Sequence, residues 1–266
     1  MNIGIELMGG LGNMMFQVAA GESFSIKENV NVYYPSLLSQ FESLERQSTW
    51  TLHAKEYLAM FKNFNWGLDK IDPDIKWKVV GVPFTYRPIN LIDGELYKGY
   101  FQSEKNFADK NFVKMLFHPS DKISTYIRIK YSSIFLIGTT CSIHVRRGNY
   151  CDLQKFHTLL EMDYYHKAMW TLQPFKVDKY LIFSNDIPWC RENFIGDKFV
   201  FIEDTDYVEM FLQAKCTHHI IANSAFSWWG AWLGDIWDTV IIAPKNWFPI
   251  NTADSKDIIP ARWIKL

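Results

Sequence analysis

Cys141-Ser142-Ile143-His144-Val145-Arg146-Arg147-Gly148-Asn149-Tyr150 is the stretch on which the fold turns. Its first five residues read as a short strand, and the strand ends at two arginines and a glycine. Outward from it, elements alternate. A helix is expected over about 163–173, and a strand at Tyr180-Leu181-Ile182-Phe183 ends in Ser184-Asn185-Asp186. A strand follows at 199–202, a helix at 207–215, a strand at 219–222, a helix at 226–233 and a strand at 239–243. Strands and helices alternating at short intervals imply a parallel sheet covered on both faces by helices.

The first half opens in the same way. Ile3 to Leu7 reads as a strand, Gly9-Gly10-Leu11-Gly12-Asn13 as a turn, and 14–27 as a helix. Asn31-Val32-Tyr33-Tyr34 reads as the next strand, and 35–98 is rich in aromatics without a clear period. One helix is expected over 103–117 and another over 121–131. The expected architecture is therefore α/β, with two Rossmann-like domains dividing near residue 135, at 1–135 and 136–266. In open parallel sheets ligands sit at the carboxyl ends of strands, and each polar cluster below falls at such an end.

Composition bounds the function. The chain has 266 residues, 48% of them apolar, enough for a sizeable core. Its 28 basic residues nearly cancel its 29 acidic ones, so net charge points to no nucleic-acid partner. Aromatics make up 17%, which suits sugar rings but suits a core at least as well. The four cysteines form no C-x-x-C pair and no zinc spacing, which fits a reducing compartment such as the cytoplasm. The start of the sequence has no basic segment followed by an apolar stretch, and no run approaches a membrane span.

Four clusters carry candidate chemistry. Arg146 and Arg147 beside Gly148 suit a diphosphate clamp, with His144 on the same strand face as Arg146; taken alone, the stretch reads equally as a solvated strand end. Asn223-Ser224-Ala225-Phe226-Ser227-Trp228-Trp229-Gly230 joins a strand to a helix that Ser224 can cap, leaving N-terminal amides for an anion. An ordinary capped helix with core tryptophans fits the same pattern. Ser184, Asn185 and Asp186 can read a base edge or a ribose hydroxyl, or form a plain turn. The glycine turn at 9–12 is not the dinucleotide fingerprint, because Met15 stands where its third glycine belongs. Glu203 and Asp204, adjacent on a strand, point to opposite faces and read as a solvated pair, not a glycosidase dyad. His157, His218 and His219 show no metal pattern.

In this order the clusters resemble glycosyltransferase family 11, the α-1,2-fucosyltransferases. Gly9 through Gln17 is similar to the family's opening motif, Gly99-Tyr100-Phe101-Gln102-Ser103-Glu104-Lys105 to a further segment, and His144 through Tyr150 to H-x-R-R-G-D-Y. Phe183 through Trp189 and Asn223 through Ala231 complete the set, so the resemblance runs from about residue 3 to 248. It implies a GT-B fold with parallel sheets facing a central cleft, an acceptor-side first domain and a GDP-fucose-binding second domain. It also implies inversion at the anomeric carbon and no required metal or cofactor, GDP-fucose being the donor substrate. His144, Arg146 and Arg147 would lie near the diphosphate, Ser184, Asn185 and Asp186 near the guanosine, Asn223, Ser224, Ala225 and Phe226 near the phosphates, and Asn13 near the reaction centre. Arg147 and Asn13 are then the catalytic candidates, and Glu6 and Glu104 the candidates for a general base.

Two departures stand out: Asn149 in place of Asp and Ala225 in place of a common Ser. The implied acceptor is the 2-hydroxyl of a galactoside in bacterial surface-polysaccharide or glycan synthesis. A lipid-linked acceptor and a peripheral contact with the inner face of a membrane remain open. Competing readings are another linkage, another GDP-sugar, and a non-catalytic GDP-sugar-binding module.

Overall fold

Every one of the six residues of strand β5 (Thr140–Val145) is buried, as a strand covered on both faces must be. The computed structural model describes residues 1–35, 76–136, 138–249 and 253–266. Around β5 lies an all-parallel sheet whose other strands are β6 (Lys179–Ser184), β7 (Phe199–Phe201), β8 (His218–Ile220), β9 (Ile241–Ala243) and β10 (Ile264–Lys265). Their spatial order is β7-β6-β5-β8-β9-β10. The chain starts in the middle, winds outward through β6 and β7, then returns to the other side of β5 for β8. This is the doubly wound Rossmann order, and β5 and β8 flank its switch point.

Two helices, α4 (Met162–Thr171) and α5 (Ile187–Asn193), close one face of this sheet. Tyr165, Ala168 and Leu172 from the α4 side and Cys190 and Phe194 from the α5 side share a core with Cys141, Ile143, Val145, Ile182, Ile220 and Ile242. Elsewhere in the same unit α6 (Asp206–Ala214) packs against α7 (Ala225–Gly234). Three tryptophans of α7 are buried. Trp228 stacks on Trp232 at 5.8 Å, and Trp229 meets both edge-on. The high tryptophan content is, here, core.

A second parallel sheet, in order β2-β1-β4-β3, is formed by β1 (Asn2–Ile5), β2 (Asn31–Tyr33), β3 (Lys78–Gly81) and β4 (Glu95–Lys98). Helix α1 (Leu11–Glu28) buries Leu11, Met14, Met15, Phe16, Val18, Ala19 and Ala20. Strands β3 and β4 fall in the aromatic-rich stretch that shows no clear period in sequence, and its residues 36–75 lie outside the described residues.

The chain divides into two compact units, Met1–Ser120 with Lys256–Ile258, and Asp121–Ser255 with Ile259–Leu266. The division falls 15 residues before the expected one at 135/136, because α3 (Asp121–Phe135) packs on α6. Its fastening is polar. Tyr126, Lys130 and Tyr131 all bond one carboxylate oxygen of Asp204, at 3.0, 2.8 and 2.7 Å. Asp204 is therefore largely buried and not solvated, whereas its neighbour Glu203 does lie at the surface, paired with Arg191. The single helix expected over 103–117 is two pieces, a short turn at Glu104–Asn106 and α2 (Lys110–Leu116). The chain is interrupted because Asp109 starts a helix of its own, its carboxylate accepting from the Phe112 amide.

Candidate active site

The candidate residues of the second unit gather at the carboxyl ends of the neighbouring strands β8, β5 and β6. β5 delivers His144, Arg146 and Arg147; β6 delivers Ser184, Asn185 and Asp186; β8 leads through Ile221 and Ala222 to Asn223, Ser224, Ala225 and Phe226. Contacts tie them together. The Arg147 amide donates to Asn185 Oδ1 at 2.9 Å. Gly148 follows with φ +47°, and a Cβ there would fall 2.2 Å from Asn185 Nδ2. Glycine thus allows the β5 and β6 ends to meet. Asp186 caps α5 by accepting from the Trp189 amide, and Ser184 Oγ accepts from the Asp186 amide.

Arg147 is the centre of this arrangement. Its guanidinium carbon lies 4.1 Å from the Trp189 ring centroid, and its side chain is 13% exposed. Glu161 and Asp186 hold it by charge at 3.5 and 3.7 Å, yet Nε and Nη1 are buried with no hydrogen-bond partner. Buried donors without an acceptor are costly unless a ligand supplies one. His144 Nδ1 and Asn223 Oδ1 are in the same condition. Burial pushes His144 down to about 3, with the Arg146 charge adding to the effect, so its ring is neutral at physiological pH. That ring packs against Phe226 at 5.5 Å. Asn223 donates to the carbonyls of Thr158 and Trp247, both at 2.9 Å, which fixes the turn into α7. Ser224 occupies the N-cap position of α7, but its side chain makes no capping bond.

Arg146 is oriented differently. Its Nη2 donates to Asn149 Oδ1 at 2.9 Å, and its guanidinium lies 5.0 Å from the centre of the Tyr150 ring. Asn149 thus holds an arginine by a neutral amide. The same Tyr150 ring stacks on His157 at 4.0 Å and 4°, and its hydroxyl donates to the Asn223 carbonyl. Burial, then the Arg146 charge, lowers the His157 pKa.

The first unit gathers its own set at the carboxyl end of its sheet. Asn13, in the first turn of α1, accepts from Gln102 Nε2 at 2.8 Å. Gln17 is fully buried, accepting from the Met8 amide and donating to the Gly99 carbonyl. These bonds join the 9–17 and 99–105 segments, far apart in sequence, into one structure. Glu6 directly follows β1, and Glu104 opens the short turn after β4. Among the described residues no group of three or more His, Cys, Asp or Glu is placed to hold a metal ion.

A model of glycosyl transferase family 11 matches residues 96–266. An Escherichia coli alpha-1,2-colitosyltransferase is 31% identical, aligned across 98% of this chain and 97% of its own. The chain belongs to glycosyl transferase family 11. A second E. coli relative, the O-antigen biosynthesis glycosyltransferase WbnK, is 36% identical over 48% of this chain and 45% of its own. Among solved structures, the Bradyrhizobium fucosyltransferase NodZ is similar at 11% identity and a TM-score of 0.48, covering 86% of this chain and 91% of its own.

Sequence reasoning missed two residues that pack into this candidate site. Trp189 lies in the 183–189 motif, but nothing in its spacing shows that it covers Arg147. His157 looks ordinary in sequence, yet it stacks on the tyrosine that carries Arg146. His218 does behave as a structural residue, its Nδ1 accepting from the Val240 amide.

Proposed function

We propose that this family 11 enzyme transfers L-fucose, with inversion, from GDP-β-L-fucose to the 2-hydroxyl of a galactoside. The observation that carries the reading is the guanidinium of Arg147, pinned over Trp189 with two buried donors lacking acceptors, at the switch point of a doubly wound sheet. A diphosphate offers the negative charge and the several acceptor oxygens that such a guanidinium can take.

In this mechanism the bond from the anomeric carbon to the β-phosphate oxygen breaks, and its electron pair leaves with GDP. The sugar passes through an oxocarbenium-like state, and the acceptor oxygen bonds from the opposite face, losing its proton to a base. Arg147, Arg146 and the N-terminal amides of α7 neutralise the charge growing on the diphosphate. Ser184, Asn185 and Asp186 contact the guanosine. Asn13 lies near the reaction centre, and Glu6 and Glu104 are the candidates for the base. The acceptor belongs to the first unit and the donor to the second.

The near full-length similarity to a colitosyltransferase favours one second reading, in which the donor is GDP-colitose. Colitose is 3-deoxy-L-fucose, so the two donors differ by one hydroxyl. The relative named for O-antigen biosynthesis supports a role in surface-polysaccharide assembly.

The deciding experiment measures GDP release from each donor against a panel of galactosides, with the product linkage assigned by NMR. Transfer from GDP-fucose to the 2-position supports the first reading, and preference for GDP-colitose supports the second. Tight GDP-fucose binding with no turnover on any acceptor would identify a binding module instead.

A further inference from the structure

The loops at the amino ends of the six-stranded sheet, opposite the end that carries the candidate site, bear a row of exposed apolar side chains. Before β9 stand Ile236 and Trp237, the latter 98% exposed; before β5 stands Leu136, 85% exposed; before β6, Phe175; and before β7, Ile195. Given the strand order, these side chains span the edge of the sheet from β9 to β7, about 20 Å at the usual strand spacing. Scattered exposed apolar residues are unremarkable. Here four of the six loops that lead into the strands present one among the described residues.

Beside this row is a groove of about 510 Å³ between α3 and the end of α6. It is lined by Arg128 and Lys215, by Ser124, Thr125 and Ser132, and by the apolar Ile127, Phe135 and Leu136, and no lining residue is acidic. Ser124, Arg128 and Ser132 repeat every four residues, so they share one face of α3. Arg128 and Lys215 have no ion pair among the described residues. The acidic residues of this edge, Asp178, Asp197 and Asp238, stand in the flanking loops and not in the groove. Lys215 stands in the loop before β8, the strand between those that follow Trp237 and Leu136, so the groove borders the apolar row.

We infer that this edge is a docking surface for an anionic lipid bilayer, with a headgroup phosphate in the Arg128–Lys215 groove and Trp237, Ile236 and Leu136 in the interfacial layer. An indole suits the headgroup level, where one side is apolar and the other wet. Two cations and three hydroxyls without a carboxylate suit a phosphate, and apolar area combined with cations is how surface-binding proteins hold membranes. No described helix is long and apolar enough to cross a membrane, so such an attachment would be peripheral. β5 has six residues, which would set the catalytic end about 20 Å from the lipid surface. The inference does not depend on which sugar is transferred.

The test is co-sedimentation of the full chain with phosphatidylcholine vesicles, with and without phosphatidylglycerol. Binding is expected to the anionic vesicles, weakened at least roughly tenfold by Arg128→Glu with Lys215→Glu, and weakened also by Trp237→Ser. GDP affinity by calorimetry verifies that each variant is folded, and the Trp237→Ser exchange, at a side chain in solvent, carries little folding risk. Absence of wild-type binding, or binding indifferent to these substitutions, overturns the inference. So does displacement by millimolar inorganic phosphate alone, which would make the groove a free-phosphate site. A dimer in the absence of vesicles that dissociates in Trp237→Ser would make the occupant a second copy of this chain and would likewise overturn it.

Discussion

The guanidinium of Arg147 lies 4.1 Å from the ring centroid of Trp189, while its Nε and Nη1 donors have no hydrogen-bond partner. The ring fixes the plane of the guanidinium without consuming an N–H, and Glu161 and Asp186 approach Nη1 and Nε only to 3.5 and 3.7 Å. The result is an arginine held in place by a ring and two charges, with hydrogen-bonding capacity unspent.

Arg147→Ala should lose about 10²–10³ in kcat, the usual consequence of removing one donor that stabilises transition-state charge. Arg147→Lys should recover little, because a point charge does not replace a planar fork. Trp189→Ala should act through Arg147 and weaken donor binding by about 0.5–2 kcal/mol, roughly 2–30-fold. Steady-state kinetics on folded variants checks all three. Near wild-type kcat in Arg147→Ala would reduce this residue to a buried structural cation.

Gly148→Ala is expected to damage the site through its neighbour. At φ +47° an alanine is strained, and its Cβ would fall 2.2 Å from Asn185 Nδ2. Moving the Asn185 amide away from that Cβ strains its bond to the Arg147 amide. GDP affinity should fall while helix content by circular dichroism stays constant. Unchanged affinity would show that Asn185 has slack that the geometry does not suggest.

The half of the fold beyond residue 140 is legible in sequence because its strands are short apolar runs ending in polar residues. The periodicity there reads strands at 180–183, 199–202 and 239–243, and the structure has them within two residues. Strand order is another matter. That β8 lies beside β5, and not beside β7, follows from tertiary packing and makes 144–147 and 223–226 neighbours. β3 is hidden because it is a largely exposed strand, so Lys78-Val79-Val80-Gly81 shows no inward alternation, and β4 because its buried run opens on a charged residue, Glu95. The pairings Asn13–Gln102 and Gln17–Gly99 bridge more than 80 residues, and no local pattern announces them. Motif order singled out most of the residues that gather at the strand ends. What it omitted are the aromatic supports, Trp189 and the Tyr150–His157 stack, since a tryptophan over an arginine looks in sequence like any core tryptophan.

Transfer should be independent of divalent metal. The motivation is positive: arginines and the α7 N-terminus offer the charge that a metal would otherwise supply. Activity is expected to survive excess EDTA. Loss on chelation, restored by magnesium or manganese, would require a different account of how the leaving diphosphate is stabilised.

Glu209 gives the last prediction, on stability. It sits in the first turn of α6, largely buried, with Oε1 accepting from the Asp204 amide at 3.0 Å. Burial pushes its pKa up to about 8, the Asp204 amide opposes this, and the charges of Asp206, Asp204 and Glu203 add to it. The folded protein therefore keeps a proton that the unfolded chain releases near 4.5. The associated stability is fully present below about 4.5 and is lost as pH rises through about 8. His144, His157 and His218 are shifted downward from 6.5, so their contribution is lost on the acid side, as pH falls below 6.5. Buried Cys141, Cys190 and Cys216 have raised pKa values, so their effect begins only near the ordinary thiol value of 9. Between pH 6.5 and 8.5 the slope from Glu209 is thus the most isolated. Wild-type urea midpoints should fall across that window. Glu209→Gln keeps the oxygen that accepts from Asp204 but carries no titrating proton, so its midpoints should fall less and exceed wild type at pH 8.5. Parallel curves for the two proteins would mean that Glu209 is ionised in the folded state at neutral pH.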